Sequence, residues 1–280
     1  MAPQFSIITP SYKQLEWLRL AAASIADQRD VAVEHIVQDA GTGLALENWA
    51  AEQPGLKLFV ESDAGMYDAV NRGLRRAVGE ICAYLNCDEQ YLPGALKAVA
   101  GFFDENPQID VAFAHAVVVN RSGEFIAYRK AILPGKYHTW VSKNIAILTC
   151  ATFFRRRVLE EHRLFFNSTL KDVGDAEWVI RMLNKKVRMA VLPTFASTFG
   201  ETDQNRNLAA GALREKAEIV ASAPAWARML GPVIVTYYRL RRLLAGAYCQ
   251  KPFEYAIYTL RNPAVRTTFN VTRPTYRWRR

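Results

Sequence analysis

The first 120 residues alternate between short apolar strands and helical segments, and this alternation restricts the fold more than any other feature. Strands are predicted at 5–9, 33–41, 56–62, 81–86 and 109–120, and helices from Gln14, within 63–79 and after Pro93. Strands that are separated by helices pair mainly in parallel, because each crossover returns the chain in the same direction. The sequence therefore predicts an α/β domain with a mainly parallel central sheet flanked by helices.

The pattern is looser after residue 134. A strand that leads into a short helix is predicted at 147–162, a helix at 175–186 and a strand at 187–193. From about Leu208 the sequence is helical and basic. We therefore expect an α/β domain at 1–207 and a basic helical extension at 208–280.

The basic residues are unevenly distributed. The net charge is +9, and residues 201–280 contain 14 lysines and arginines against 5 aspartates and glutamates. The first 200 residues are therefore balanced in charge. An enzyme acting on nucleic acid usually has basic residues around its cleft. This distribution argues against nucleic acid as a partner and indicates a separate partner for the C-terminal region.

Targeting signals and cysteine spacing indicate the compartment. We find neither a signal peptide nor an apolar run long enough to span a bilayer. The four cysteines have neither C-x-x-C nor zinc-ligand spacing and are expected to be reduced thiols. A cytoplasmic location is therefore expected.

Polar residues follow each of the first four strands. They are Pro10–Tyr12, Asp39–Gly41, Ser62 with Asp63, and Asn86–Glu89. Ligands of open parallel sheets bind beyond the carboxyl ends of the strands, so we expect a site there. Neither a dinucleotide-binding G-x-G-x-x-G nor a P-loop is present. A bound diphosphate would then need a cation, and Asn86 and Asp88 offer the oxygen ligands that Mg²⁺ or Mn²⁺ prefers.

Three segments of the sequence resemble one known family. They read FSIITPSYKQ, EHIVQDAGTG and ESDAGMYDAVNRGLRRAVGEICAYLNCDEQY. These segments are similar to the donor half of family 2 glycosyltransferases of the GT-A fold, the type that builds bacterial surface polysaccharides. The resemblance extends over roughly residues 4–200. It implies a GT-A fold and a nucleotide-diphosphate sugar as the donor.

The resemblance also implies roles for individual residues at the nucleotide. It places Pro10 and Tyr12 near the base and gives Asp39 a hydrogen bond from it. The remaining residues that it assigns to the nucleotide-sugar site are Asp68, Asn71, Arg72 and Asn86. Plainer roles are also open: Asp39 as a turn residue, Asp68 as a helix cap and Arg72 on a solvated helix face.

Asp88 corresponds to the metal-binding acid of the family. Asn86 or Glu89 would support it as a further ligand, although the family more often has aspartate where Glu89 stands. A divalent cation would neutralise the charge on the departing nucleotide diphosphate. The implied cofactor is Mg²⁺ or Mn²⁺.

A second acidic segment resembles the catalytic-base motif of the same family. TFFRRRVLEE is followed by GDAEWVIRML, and Asp175 aligns with the base that accepts the proton of the acceptor hydroxyl. Glu177 and Arg181 align as supporting residues. Asp175 also stands where a helix begins, so its side chain could cap that helix, and the two roles are compatible. Residues 149–152 depart from the family pattern, so no acceptor contacts are carried over.

The C-terminal region has the composition of a helix that lies in a membrane interface. Apolar residues recur at helical spacing at Met229, Val233, Tyr237, Leu240, Leu244 and Ala247. Arg228, Arg239 and Arg242 lie roughly opposite. Such helices bind anionic membrane surfaces. A helix packed on the α/β domain with a solvated basic face is the alternative, and a homodimer through these helices is a further option.

Together these features predict an inverting, metal-assisted glycosyltransferase. It would use a nucleotide-diphosphate sugar and a glycan acceptor, expected to be lipid-linked, at the cytoplasmic face of the cell membrane. One alternative is a non-catalytic basic protein that binds membrane or nucleic acid on a transferase-like fold. Another is a sugar nucleotidyltransferase, which would need a basic glycine-rich loop where PSYKQLEW stands.

Overall fold

A nine-stranded sheet forms the centre of the molecule in this computed structural model, which describes residues 3–142, 147–201 and 210–278. The strands of the sheet are β1 (Phe5–Ser11), β2 (Val33–Asp39), β3 (Leu56–Val60), β4 (Ile81–Tyr84), β5 (Gln90–Tyr91), β6 (Val111–Val119), β7 (Phe125–Arg129), β8 (Thr152–Arg155) and β9 (Met189–Gly200). Their order is β3-β2-β1-β4-β8-β6-β9-β5, and β7 pairs with β6.

Parallel and antiparallel pairs divide this sheet into two halves. The strands β3, β2, β1 and β4 are all parallel. Beyond β4, the short strand β8 runs antiparallel to both β4 and β6, while β6 and β9 are parallel. The sheet is therefore mixed and mostly parallel, as predicted.

Ten helices accompany the strands in the described parts of the chain. They are α1 (Leu15–Ala26), α2 (Leu44–Ala51), α3 (Met66–Arg76), α4 (Ala95–Glu105), α5 (Lys136–Ser142), α6 (Arg157–Glu160), α7 (Gly174–Asn184), α8 (Ala210–Ala221), α9 (Ala225–Met229) and α10 (Gly231–Leu244). The helices predicted from Gln14, within 63–79, after Pro93 and at 175–186 correspond to α1, α3, α4 and α7. The sequence analysis did not find α2 or α5.

Two apolar layers cover the two faces of the sheet. One face packs against α1 and α4, through Ile25 and Phe103 among others. The opposite face packs against α3, α6 and α7, with Val70, Leu159 and Trp178 buried in it. Helices on both faces are the reason why the central strands are apolar throughout rather than alternating.

The C-terminal region is not helical to its end, which corrects the prediction. Two further strands, β10 (Phe253–Thr259) and β11 (Asn262–Val271), form an antiparallel hairpin. Tyr255 and Ile257 are buried against Val117 of β6, because alternate residues of a strand face the same side. The prediction overlooked this period of two. The predicted boundary between 207 and 208 lies outside the described residues.

The hairpin is fastened to the α/β domain by polar contacts as well. Arg266 of β11 pairs with Asp27 after α1, at 2.6 and 2.7 Å, and donates to the carbonyl oxygen of Tyr91 at 3.0 Å. The side chain of Gln90 in β5 exchanges two hydrogen bonds with the backbone of Tyr258, at 2.8 and 2.9 Å. These contacts make the hairpin part of the domain rather than a loose tail.

Two helical glycines provide a matched test of this packing. A Cβ on Gly73 in α3 would lie 2.5 Å from Cγ2 of Ile8 in β1, whereas nothing lies within 4 Å of one on Gly101 in α4. We expect Gly73→Ala to lower the free energy of unfolding by about 1–3 kcal/mol through overpacking. Gly101→Ala should raise it by about 0.5–1 kcal/mol through helix propensity. Urea unfolding of both variants measures this, and a stabilising Gly73→Ala would contradict the α3–β1 packing.

Candidate active site

A cavity of about 810 Å³ lies at the carboxyl ends of the parallel strands. Its lining includes residues from all four loops that the sequence analysis singled out. After β1 these are Pro10, Ser11, Tyr12 and Gln14; after β2, Ala40; after β3, Ser62 to Met66; and after β4, Asn86, Cys87 and Asp88. The predicted location of a site at this edge of the sheet therefore matches the geometry.

Asp88 and Glu89 form an acidic pair at the mouth of β4. The Asp88 side chain lines the cavity, and no side chain among the described residues donates a hydrogen bond to its carboxylate. Glu89 is 1% exposed; its Oε2 accepts the N–H of Asn86 at 2.8 Å, and its Oε1 has no hydrogen-bond partner. Burial raises the pKa of both groups, and burial together with the Asp88 charge raises the pKa of Glu89 to about 8.

The Asp39 carboxylate shapes the turn after β2. Its Oδ2 accepts the N–H groups of Gly41 and Thr42 at 2.8 and 2.6 Å, and its Oδ1 accepts the Thr42 hydroxyl at 2.6 Å. Asp39 is fully buried, and its neighbour Ala40 is the residue that reaches the cavity. The turn role that the sequence left open is thus realised. Carboxylate oxygens can accept more than one hydrogen bond, so a contact from the base stays a prediction.

Asp68 and Arg72 of α3 bind each other rather than the cavity. Nε and Nη2 of Arg72 donate to Oδ2 of Asp68 at 3.2 and 2.9 Å, and Nη1 lies 3.4 Å from Glu61. Oδ2 of Asp68 also accepts the N–H of Ala64 at 3.1 Å. Neither Asp68 nor Arg72 is among the residues that line the cavity. They hold the loop before α3, whose residues do line it.

Asn71 has a structural position that differs from the predicted one. Its amide donates to the carbonyl oxygen of Phe166 at 2.8 Å and accepts the N–H of the same residue at 2.9 Å. The side chain is buried and is not part of the cavity lining. Asn71 therefore ties α3 to the segment at 166, because both of its amide functions are used there.

Asp175 lies at the start of α7, as the sequence predicted. Its Oδ1 accepts the N–H of Ala176 at 2.8 Å, while Oδ2 has no hydrogen-bond partner among the described residues. Burial raises the pKa of Asp175 to about 6, opposed by the hydrogen bond from Ala176 and by the charge of Lys216. The carboxylate thus contacts its own helix with one oxygen, while no described residue binds the other.

Glu177 and Arg181 support α7 from the side. Nε of Arg181 donates to Oε1 of Glu177 at 2.6 Å, and Nη2 of Arg181 donates to the carbonyl oxygen of Phe165 at 2.6 Å. Oε2 of Glu177 is buried without a partner. The pair links the first two turns of α7 to the preceding segment.

Two tyrosines connect the two acidic clusters. The N–H of Asp175 donates to the hydroxyl of Tyr67 at 3.2 Å, and Tyr67 belongs to α3, which begins at the cavity. The pKa of Tyr84 in β4 is raised first by burial and then by the nearby charges of Asp175 and Glu89. Asp175 and Glu89 therefore lie near the same tyrosine, on one side of the molecule.

The sequence analysis missed several residues around these clusters. Gly174 and Gly200 allow close approach: a Cβ on Gly174 would lie 2.6 Å from the Tyr67 ring, and one on Gly200 would overlap the carbonyl oxygen of Asp88. Lys171 donates from Nζ to the carbonyl oxygen of Ala64, a cavity residue. Glu215 of α8 accepts N–H groups from residues 171–173. Only tertiary contacts reveal these four residues.

The residues around Asp88 fit a cation that a diphosphate brings with it. Within the described ranges, no group of three or more His, Cys, Asp or Glu residues could hold a metal alone. Mg²⁺ commonly takes one or two carboxylates and completes its shell with phosphate and water. The carboxylate of Asp88 has no cationic partner among the described ion pairs, and the nearby arginines Arg72 and Arg76 pair with acids of their own. A bound cation would lower the raised pKa values of Asp88 and Glu89, because positive charge favours the ionised carboxylates.

Comparison with known proteins agrees with this arrangement. The chain matches the model of glycosyl transferase family 2 over residues 6–163, more than half of its length. It therefore belongs to glycosyltransferase family 2, and its mixed, mostly parallel sheet flanked by helices is the GT-A fold.

Curated relatives and a solved structure resemble the chain over different lengths. A PGL/p-HBAD biosynthesis glycosyltransferase of Mycobacterium bovis is 33% identical over 130 residues, which cover 44% of this chain and 50% of the relative. An uncharacterised glycosyltransferase of Mycobacterium tuberculosis is 33% identical over 108 residues, 36% of this chain and 41% of the relative. The chain thus matches half or less of the length of these relatives.

The structural likeness extends further along the chain. Residues 1–349 of S. aureus TarS in complex with UDP-GlcNAc align with a TM-score of 0.61 at 19% identity, covering 86% of this chain and 73% of that one. At this low sequence identity, the similarity supports a shared fold and nothing further.

The free oxygen and raised pKa of Asp175 give a prediction for pH. Transfer should be lost as the pH falls below about 6, because protonation removes the base. Asp175→Asn should lower kcat by about a hundredfold or more while nucleotide binding is unchanged. A pH–rate profile and calorimetry with a nucleotide diphosphate measure the two effects. Retained transfer in Asp175→Asn, or lost nucleotide binding, would contradict the role as base.

Proposed function

We propose that the protein is an inverting glycosyltransferase that moves a sugar from a nucleotide-diphosphate sugar to a hydroxyl of a glycan acceptor. The observation that carries the proposal is the pairing of a diphosphate-sized cavity bordered by Asp88 with the half-free carboxylate of Asp175. These two acids would act on opposite sides of the sugar. The charges of Asp175 and Glu89 both raise the pKa of Tyr84, which supports the proximity of the two acidic clusters.

The donor would bind in the cavity with its base against Tyr12, which is 54% exposed and has Nζ of Lys13 4.9 Å from the centre of its ring. Pro10 and Ala40 form the wall beside it, and Asn86 and Asp88 face the diphosphate. The backbone of residues 63–65 closes the cavity under the sugar. Asp39 would contact the nucleotide base from behind the turn at residues 40–42, whose backbone it binds.

The reaction is a single displacement. The acceptor oxygen forms a bond to the anomeric carbon while the bond from that carbon to the phosphate oxygen breaks. Oδ2 of Asp175 receives the hydroxyl proton, and the nucleotide diphosphate leaves with the bonding electrons. Attack from the face opposite the leaving group inverts the anomeric centre.

A divalent cation held by Asp88, with Asn86 or Glu89 in support, would supply charge neutralisation for the departing diphosphate. The raised pKa of Asp88 and Glu89 supports this assignment, because buried acids without a counter-charge favour an incoming cation. Neither Arg72 nor Arg76 lines the cavity to do this instead.

A panel of nucleotide diphosphates, each with and without Mn²⁺, tests the donor proposal by thermal shift. We expect the nucleotide diphosphate with one particular nucleobase to raise the melting temperature, because ligand binding stabilises the native state. The rise should occur only when the cation is present. Asp88→Asn should abolish that shift, whereas Asp30→Asn should keep it, because Asp30 is exposed, pairs with Lys97 and lies outside the cavity lining. A full shift in chelator would overturn the cation, and binding of nucleic acid without any nucleotide response would favour the non-catalytic alternative.

The C-terminal helices are proposed to bind an anionic membrane surface, where a lipid-linked acceptor would be found. Met229 and Leu244 are 77% and 78% exposed, and Val233, Tyr237 and Leu240 between them are exposed as well. Arg228 and Arg239 are exposed beside this stripe, whereas Arg242 is half-buried over the Tyr248 ring, and Ala247 is buried rather than part of the stripe. No helix in the described ranges has the length and apolarity to cross a bilayer.

A groove next to the stripe fits the same partner. It has a volume of about 540 Å³ and lies between β6, β9 and α10. Its walls are largely apolar, while Lys130 and Arg241 provide positive charge, and Leu244 belongs both to the groove and to the stripe. Acyl chains and phosphate headgroups have the matching combination of apolar and anionic parts. These features support binding in a cytoplasmic, peripheral position.

Point variants test membrane binding better than truncation, because the hairpin that follows α10 is part of the domain. The double variant Val233→Glu, Leu240→Glu should lose co-sedimentation with vesicles that contain anionic phospholipid. The reason is that it places negative charge on the exposed apolar face that would enter the membrane. Leu260→Glu in the exposed hairpin turn is the control. Unchanged sedimentation would refute the membrane face, and a concentration-dependent dimer that the double variant abolishes would assign the stripe to a second copy of the chain.

A further inference from the structure

We propose that Glu215 of α8 is a positioning residue for Asp175, so that the helical region after the sheet completes the active site. This inference rests on the proposed function, because it assumes that Asp175 is the base. Glu215 does not touch the cavity. It acts on the chain segment that leads into α7.

Three backbone N–H groups donate to the carboxylate of Glu215. Oε1 accepts from Lys171 at 2.8 Å, and Oε2 accepts from Asp172 at 2.9 Å and Val173 at 3.1 Å. Val173 is the residue immediately before α7. One side chain from a helix about 40 residues further along the chain therefore holds the turn from which α7 starts.

A carboxylate suits this position for two reasons. The N–H groups before and within the first turn of a helix have no carbonyl partners inside that helix. The N-terminus of the helix also carries a partial positive charge that favours an anion. No side chain caps α7 in the usual way, and Glu215 instead binds the N–H of Val173 at the N-cap position together with the two N–H groups before it.

Residues 171–173, whose N–H groups Glu215 accepts, lie next to both the cavity loop and Asp175. Lys171 donates to the carbonyl oxygen of Ala64 in the donor cavity, and its side chain packs on Gly65. Two residues after Val173, the N–H of Asp175 donates to Tyr67. A shift of residues 171–173 would therefore move the base and the loop under the sugar relative to each other. Reaction rates depend steeply on such distances, with about a hundredfold lost for a displacement of about 1 Å.

The charged and titratable groups that face Asp175 are Tyr67 from α3, Tyr84 from β4 and Lys216 from α8, besides Glu177 on its own helix. Release of the segment would let more water reach the Asp175 carboxylate, which is already half-buried rather than fully enclosed. Its pKa would then fall from about 6 towards its ordinary value, since burial is the main cause of the rise. The acidic limb of the pH–rate profile reports this shift, which a merely stabilising contact would not move.

Glu215→Ala is the test, with Glu218→Ala on the same helix as the control. The Glu218 side chain is exposed, and its carboxylate pairs with Arg214 at 3.0 Å. In Glu215→Ala we expect kcat to fall by about tenfold to a hundredfold. The dissociation constant of the nucleotide diphosphate should stay within about twofold, and the acidic limb should move to lower pH. Hydrogen exchange of the amides of residues 171–173 should become faster.

The outcomes separate this inference from the proposed function. A wild-type protein that transfers no sugar overturns both. A wild-type protein that transfers sugar, with a Glu215→Ala variant of equal kcat and unchanged pH profile, overturns the role of Glu215 alone. If Glu215→Ala unfolds, Glu215→Gln keeps the size and an acceptor oxygen, and it should show a smaller loss of kcat with the same direction of pH shift. A normal pH profile in that variant would count against the inference.

Discussion

The hydrogen bond between the N–H of Asp175 and the hydroxyl of Tyr67 joins two segments that are 108 residues apart in sequence. One segment begins at the cavity, and the other carries Asp175, whose Oδ2 has no hydrogen-bond partner among the described residues. Gly174 makes this approach feasible, because any side chain there would collide with the Tyr67 ring. The spacing between the cavity and Asp175 therefore depends on a residue without a side chain and on the long, rigid side chain of Tyr67.

Burial without compensating charge gives the site its electrostatic character. Asp88, Glu89 and Asp175 all have raised pKa values, mainly because protein atoms displace water around them. The arginines that could have offset them are engaged elsewhere: Arg72 and Arg76 bind Asp68 and Glu61. Raised pKa values favour the protonated acids, and the cation proposed at Asp88 would reverse this by favouring the charged carboxylate.

The sequence was sufficient for the parallel half of the sheet and for the edge at which the cavity lies. The reason is that apolar strands such as β1 and β4, and the polar residues that follow them, can be recognised from the local sequence without knowledge of tertiary contacts. The roles of Asp88 and Asp175 came from motif resemblance and stay predictions, while the position of Asp175 at the start of α7 was predicted correctly. The sequence was not sufficient for Asn71, whose amide is taken up by Phe166 from a distant segment, nor for Glu215, whose role depends on how α8 docks. The β10–β11 hairpin carried a readable alternation, but the surrounding basic residues obscured it.

The ion pair between Arg266 and Asp27 spans 239 residues, and the strand that bears Arg266 covers β5 beside the acidic pair. Helix α1 is consequently fixed by a residue 239 positions further along the chain. The parallel strands β1 to β4 can pair through short crossovers, whereas the wall next to Glu89 is complete only after the β10–β11 hairpin has docked on β5. Closure of the acidic pocket is therefore a late step of folding, because contacts of large sequence separation form slowly.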